Sequence, residues 1–268
     1  MTRSHQAPAQ ETGKSTQRAA ARTGPVLECR GIQIAFGGVI AADGVDIAIE
    51  EGENLAIIGP NGAGKTTFLN ICTGYLKPSA GSVTFEGRDI TRRSPRGITR
   101  LGIARAFQIP QLFSEHTTLQ NMLIAAAARD RIWNPLLPME RMDAREEMLA
   151  LLDLLGVAAV ADRLIGELPE GTRKLIDIAL ALALEPKLLF MDEPTSGVAS
   201  SEKFDIMDIL VNALQHRQVT AVFVEHDMEV VERYADRVAV WNGGRIQKIG
   251  SVDDVLNDPD VRRDVIGV

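Results

Sequence analysis

Apolar and polar positions in this chain follow two different periods. Val45, Ile47 and Ile49 fall on one face of an extended segment, and Val83 and Phe85 repeat the pattern further on. A period of two belongs to strands with one face covered, so Val26 to about Ile90 is predicted to contain half-buried antiparallel strands. Between them, Asn54–Ile58 is a short continuous apolar run, and Lys187–Met191 and Thr220–Val224 are similar. Strands covered on both faces read this way. Three of them, separated by helical patterns, predict a largely parallel sheet in an α/β domain.

The middle of the chain, from about Leu112 to Gly166, changes period. Leu119, Met122, Leu123 and Ala126 fall at i, i+3, i+4 and i+7, and Met148, Leu151, Leu152 and Leu155 repeat the spacing. Both stripes predict amphipathic helices whose apolar side is core, not a ligand box. Trp133, Pro135 and Pro138 between them predict an irregular connection, because proline interrupts helical hydrogen bonding. The expectation is an all-helical lobe inserted into the α/β domain, with no internal repeat.

Residues 1–25 read differently. Met1 is their only large apolar residue, and Arg3, Lys14, Arg18 and Arg22 against Glu11 give +3, which leaves −10 for the rest of a chain of net charge −7. Such a segment cannot build a core and has no secretory apolar region; a disordered basic tail is expected, with a transit peptide as the minor alternative. Its Gly13-Lys14-Ser15 imitates the end of a phosphate loop, but Pro8 stands where that motif needs its first glycine and no strand precedes it.

Composition then narrows the class. The 268 residues are 45% hydrophobic and 24% charged, which places them among ordinary globular chains of one or two domains. Aromatic residues at 4% and the acidic balance argue against a nucleic-acid partner, which stacking platforms and basic tracks would favour. Cys29 and Cys72 sit in unrelated contexts without a C-x-x-C spacing, so neither a metal cluster nor a redox pair is predicted. The longest apolar run, Leu175 to Leu184, is broken by Asp177 and is far shorter than the ~18 residues of a membrane span.

Candidate chemistry gathers at the ends of the apolar runs. Directly after Ile58 comes Gly59-Pro60-Asn61-Gly62-Ala63-Gly64-Lys65-Thr66-Thr67, followed by the helical pattern of Phe68, Leu69, Ile71 and Cys72. This satisfies G-x-x-x-x-G-K-[ST] between a buried strand and a helix, the context the motif requires. Glycines let the backbone wrap a polyphosphate, and successive N–H groups with the helix N-terminus face its oxygens. Lys65 then reaches the terminal phosphates and Thr66 holds Mg²⁺. The second run ends in Asp192-Glu193-Pro194, which supplies a carboxylate for the cation and another to orient an attacking water. The third ends in Glu225-His226-Asp227, and parallel strands would bring His226 to the same edge, at the γ-phosphate. In Ala104-Arg105-Ala106-Phe107-Gln108, on the way into the helical lobe, Gln108 can offer its carbonyl to Mg²⁺ or to the water; by sequence alone it is a polar loop residue. Phe36 is either core or a ring that stacks on a base.

With Lys65, Gln108, Asp192-Glu193 and His226 in this order, the chain resembles the ATP-binding subunit of ABC transporters over essentially all of residues 26–268. Phe36-Gly37-Gly38, Gly102–Gln108, the long helical insertion, Val224–Met228 and the tail with Asn257-Asp258-Pro259 look like the branched-chain amino-acid uptake group. The resemblance implies a P-loop NTPase fold of the α/β class: a mainly parallel core sheet, an antiparallel β subdomain and an inserted α-helical lobe. It implies ATP and Mg²⁺ as ligands, Phe36 as the adenine-stacking ring and Gly59–Thr67 as the Walker A loop. Gln108 becomes the Q-loop residue, Asp192 the Walker B aspartate, Glu193 the general base and His226 the switch histidine. Thr66, Gln108 and Asp192 are its metal-binding residues. Implied partners are a second ABC ATPase subunit, with a heterodimer favoured, transmembrane permease subunits and, indirectly, a solute-binding protein. The implied location is the cytoplasmic face of the cell membrane, as a peripheral subunit.

In that family each subunit completes its partner's ATP site with a signature loop. Here the loop is Leu168-Pro169-Glu170-Gly171-Thr172, where Leu-Ser-Gly-Gly-Gln is the commonest form, so Pro169, Glu170, Gly171 and Thr172 are the residues expected to meet the partner's nucleotide. Glu170 brings a carboxylate toward a γ-phosphate, and like charges ~4 Å apart repel by about 1 kcal/mol in water and several times that in a partly dry site. Ala199 stands where the family usually has Asp or Asn, and Leu180 where arginine is common. These departures keep open a nucleotide-binding regulatory or low-activity partner subunit, and an export ATPase is also compatible. A related ATPase acting on ribosomes or DNA would need tandem domains or long coiled coils, and neither is seen here.

Overall fold

A computed structural model describes residues 24–130 and 144–266. The expected tail lies outside them except for its last two residues, and so does the connection carrying Trp133, Pro135 and Pro138. The strands are β1 (Leu27–Phe36), β2 (Val39–Ile49), β3 (Asn54–Ile58), β4 (Ala80–Phe85), β5 (Arg88–Asp89), β6 (Ile103–Ala106), β7 (Leu188–Asp192), β8 (Thr220–Val224), β9 (Arg237–Asn242) and β10 (Arg245–Ser251). The helices that matter to the site are α1 (Lys65–Cys72), α2 (Pro95–Thr99), α3 (Thr118–Asp130), α4 (Arg145–Leu154), α5 (Glu170–Ala183), α6 (Lys203–Arg217) and α7 (Met228–Tyr234).

The alternating segments form an antiparallel sheet of order β2-β1-β4-β5. β1 and β2 are joined by Gly37-Gly38, both at positive φ (54° and 99°), the geometry that a two-residue hairpin turn needs to match strand twist. The apolar runs form the second sheet, of order β10-β9-β3-β8-β7-β6, in which only β10 runs antiparallel to its neighbour. Along β3, β7 and β8 the side chains divide by the strand period. Leu55, Ile57, Leu188, Phe190, Val222 and Val224 enter the core shared with α1 and the antiparallel sheet. Ala56, Ile58, Leu189, Met191, Ala221 and Phe223 enter the core shared with α3–α6. Burial on both faces explains why these strands lack alternation in the sequence.

Both helical stripes are buried as expected: Leu119, Met122, Leu123 and Ala126 in α3, and Met148, Leu151, Leu152 and Leu155 in and just after α4. α5 packs against both, so the helical part and one face of the core sheet share a single apolar cluster. One sequence reading needs correcting. Ile103–Ala106, taken only as a link into the helical lobe, is a strand paired in parallel with β7. Cys29 and Cys72, in unrelated sequence contexts, are brought to 3.8 Å between sulfurs, both buried and both free thiols.

Candidate nucleotide site

Three parallel strand tips define the site. Ile57 on β3 lies opposite Val224 on β8, and Val224 lies opposite Asp192 on β7, so the three chains leave the sheet at one level. Ligands bind at that carboxyl edge in open α/β sheets.

The Gly59–Gly64 loop follows β3 and leads into α1. Two of its glycines are demanded by packing. At Gly59 (φ 150°) an added Cβ would stand 2.0 Å from the carbonyl oxygen of Trp241, and at Gly64 (φ 110°) one would stand 2.0 Å from the carbonyl oxygen of Ala41. The loop is thus wedged between β2 and β9. At Gly62 (φ 76°) an added Cβ meets nothing within 4 Å, so the loop is open where its centre turns. Behind the loop, Trp241 on β9 is fully buried, with its ring 4.9 Å from that of Phe68.

Lys65 is 6% exposed, and its Nζ donates to the carbonyls of Gly59 (2.6 Å) and Pro60 (2.9 Å). Burial pulls this ammonium below the usual lysine range, against the opposing pull of Glu193 and Asp192. Pro60, Asn61 and Thr66 are exposed on the loop and the first turn of α1, Ala63 is buried, and Thr67 is half-buried.

Glu193 is where the separate sequence motifs meet. Its backbone sits at φ 52°, a left-handed conformation uncommon for a residue with a side chain. One carboxylate oxygen accepts a hydrogen bond from Gln108 Nε2 at 2.8 Å, and the other lies 3.0 Å from His226 Nε2. Gln108 comes from the loop after β6, 85 residues away in sequence, and His226 from the tip of β8, 33 residues away. The contact sets the imidazole edge against a carboxylate oxygen, an N–H donor facing an acceptor in the tautomer that carries the proton on Nε2. Gln108 spends its amide NH₂ on Glu193, which leaves its carbonyl oxygen as the acceptor end of the side chain.

Several residues to which the sequence assigned no role hold this arrangement. Arg105 on β6 makes a buried ion pair with Asp192 (NH2 to Oδ2, 2.9 Å; side chains 6% and 3% exposed). Lys174 on α5 donates from Nζ to the Glu193 carbonyl at 3.0 Å. Glu225 is buried; its Oε1 accepts from Thr195 N–H and O–H, and its Oε2 accepts from His226 N–H, which fixes the loops on either side of the histidine. Asp177 on α5 accepts from the N–H groups of Phe107 and Gln111. Burial pushes its carboxyl up to about 6 in spite of those bonds and of Lys174 nearby. Asp227 caps α7 by accepting from Glu229 and Val230 and pairs with Lys203, a structural duty. Of these, Asp177 stands out in the sequence as the break in the apolar run from Leu175 to Leu184, and Glu225 and Asp227 only as neighbours of His226.

The remaining candidates lie further out. Phe36 is 47% exposed at the β1–β2 hairpin, so it is not a core residue. Its hairpin rises from the stretch of β2 whose Ala41 backbone touches Gly64. The Pro169–Thr172 loop opens α5, with Pro169 and Glu170 exposed and Gly171 and Thr172 half-buried. Glu170 turns back on its own chain: a Cβ added to Gly197 would meet its Oε1 at 2.6 Å. That position also sets the carboxylate at the positive end of α5. Ala199 is exposed, and Leu180 packs half-buried against the core.

A nucleoside triphosphate with Mg²⁺ fits these residues. The open turn at Gly62 and the first turn of α1 offer backbone N–H groups to phosphates, and Thr66, Gln108 and Asp192 offer the oxygen donors that a hard cation takes.

Comparison with known proteins agrees. The chain matches the family described as ABC transporter over residues 42–196. It is 31% identical to the high-affinity branched-chain amino acid transport ATP-binding protein LivG of Salmonella typhimurium over 250 residues, covering 91% of this chain and 98% of that protein. It is 36% identical to the probable branched-chain amino acid transport ATP-binding protein LivG of Methanocaldococcus jannaschii over 252 residues, covering 90% and 97%. A crystal structure of an ATP-binding cassette of an ABC transporter in its ADP conformation superimposes with a TM-score of 0.81 at 35% identity, covering 92% of this chain and all of that one.

Proposed function

Because the chain belongs to the ABC transporter family, we propose that it hydrolyses MgATP to drive membrane transport, most plainly the uptake of branched-chain or related amino acids that its relatives' names describe. The observation that carries the chemistry is the convergence of Gln108 and His226 on the two oxygens of Glu193, beside the Asp192 carboxylate. In this reading Lys65 and the N–H groups of the loop from Gly59 to Thr67 bind the β- and γ-phosphates, and Phe36 stacks on adenine. Glu193, aligned by Gln108 and His226, orients a water in line with the γ-phosphorus and takes its proton. His226 then stands by the oxygens on which charge grows. Thr66, Asp192 and Gln108 would hold Mg²⁺, which would supply charge neutralisation for the triphosphate.

No helix among the described residues is long and apolar enough to cross a membrane. We therefore assign the membrane part to separate permease subunits, with this chain peripheral on the cytoplasmic face and a solute-binding protein acting through the permease. Ile109 (74% exposed) and Phe113 (55% exposed) flank the Gln108 loop and suit contact with such a subunit. The second ATPase subunit is proposed to be a different chain. Thr172 and Ala199 depart from the family's usual residues on the face this chain offers to a partner's nucleotide, while its own Lys65, Glu193 and His226 are intact. In the assembled transporter, disabling the catalytic glutamate of each ATPase in turn should therefore lower transport unequally. Equal losses would overturn the asymmetry.

The nucleotide assignment is tested by Lys65→Ala. Losing a charge-assisted bond to phosphate is expected to raise the Kd for ATP ten- to a hundred-fold in an equilibrium titration. An unchanged Kd would place the triphosphate elsewhere.

A further inference from the structure

Asp177 is the charge that breaks the longest apolar run of the sequence. The fold does not expose it: the side chain is 6% exposed on α5, between buried Ile176 and Ile178. A carboxylate taken out of water needs partners. It finds them in one short segment, with Oδ2 accepting from Phe107 N–H at 2.9 Å and Oδ1 from Gln111 N–H at 3.2 Å. Those two N–H groups bracket Gln108, Ile109 and Pro110, so a single side chain grips the loop on both sides of the glutamine that reaches Glu193. One turn earlier on the same face of α5, Lys174 holds the Glu193 carbonyl. Both ends of the Gln108–Glu193 contact are therefore fixed to one helix, and a crevice lined by Phe107, Lys174, Asp177, Asp192 and Glu193 runs between them. The same helix opens with the Pro169–Thr172 loop, ~10 Å along its axis from Asp177.

We propose that Asp177 is a positioning residue that locks the Gln108 loop to α5 and so sets Gln108 against Glu193. This rests on the hydrolytic roles proposed above for those two residues. Asparagine at 177 keeps one acceptor and turns an NH₂ toward the other N–H, whereas glutamate keeps both acceptors.

The test uses the full chain as wild type, Asp177→Asn, Asp177→Glu, Gln108→Ala and the Asp177→Asn/Gln108→Ala double variant. Amide exchange and MgATP titration are measured on each, and steady-state turnover on each assembled with its transporter partners. Asp177→Asn is expected to speed exchange in residues 107–111 by about tenfold, the loss of one charge-assisted bond. Exchange in the 59–67 loop should stay at the wild-type rate. kcat should fall by a similar factor with KM unchanged, Asp177→Glu should recover part of both changes, and Asp177→Asn should cost nothing further once Gln108 is alanine. The proposal is overturned if residues 107–111 exchange at the wild-type rate in Asp177→Asn, if the 59–67 loop loosens equally, or if the kcat loss persists undiminished in the Gln108→Ala background. Should Asp177→Asn fail to fold, Asp177→Glu decides: loosening confined to 107–111 with a matching fall in kcat supports the lock, and loosening that reaches the 59–67 loop equally, or none at 107–111, overturns it. A wild type that binds MgATP without turnover sinks the hydrolytic reading alone, because the exchange measurements still decide the lock.

Discussion

Glu193→Gln is expected to leave MgATP bound with near-native affinity and to lower turnover by roughly a hundred- to ten-thousand-fold, the usual worth of a positioned general base. Glutamine matches glutamate in size and can keep one acceptor for His226 or Gln108, so the left-handed backbone at 193 and the Lys174 bond to its carbonyl should persist. What disappears is the only group in the cluster that can take a proton from water while held from both sides. Lys65 and the phosphate loop are untouched, so binding and chemistry should separate. The measurement pairs a nucleotide titration with single-turnover hydrolysis. Hydrolysis at the wild-type rate would remove Glu193 from the role of base, and loss of binding with turnover would make the residue structural.

The parts legible in the sequence were those where one period or one motif suffices. β3, β7 and β8 announced themselves as apolar runs because both faces of each strand are covered, and the phosphate loop had its full local signature. β6 did not, because its four residues include Arg105, a charge that single-strand reasoning counts against burial. The approach of Asp192 from β7 and of Asn70 from α1 makes that arginine fit. β9 was likewise passed over, although its Trp241 carbonyl forms one wall of the loop. Local pattern also cannot tell which way a side chain turns. Glu170 stands in the segment expected to meet a partner's nucleotide, and its carboxylate lies against Gly197 of its own chain. Asp177 read as an interruption, and it grips the loop that carries Gln108. Each miss is a contact between segments tens of residues apart, which propensity and periodicity do not sense.

The same wedging of the phosphate loop yields the largest expected effect on folding. Gly64→Ala should destabilise the chain by about 3–5 kcal/mol, lower Tm by roughly 10 °C and abolish measurable ATP binding. Two costs add at this position. φ at 110° is a conformation that residues with a Cβ rarely adopt, and the new methyl would stand 2.0 Å from the Ala41 carbonyl oxygen and 3.0 Å from the Trp241 indole nitrogen. The first obstacle is backbone of β2 and the second is a fully buried ring, so neither can swing aside as a flexible side-chain end could. The loop itself must move, and with it the first N–H groups of α1. Gly87→Ala separates the two costs, since Gly87 has φ 74° with nothing within 4 Å of an added Cβ. Strain alone should cost that variant about 1–2 kcal/mol and leave ATP binding intact. If Gly64→Ala melted and bound nucleotide like Gly87→Ala, the loop would not be held between β2 and β9 in the way its glycines indicate, and the geometry assigned to the phosphate site would have to be abandoned.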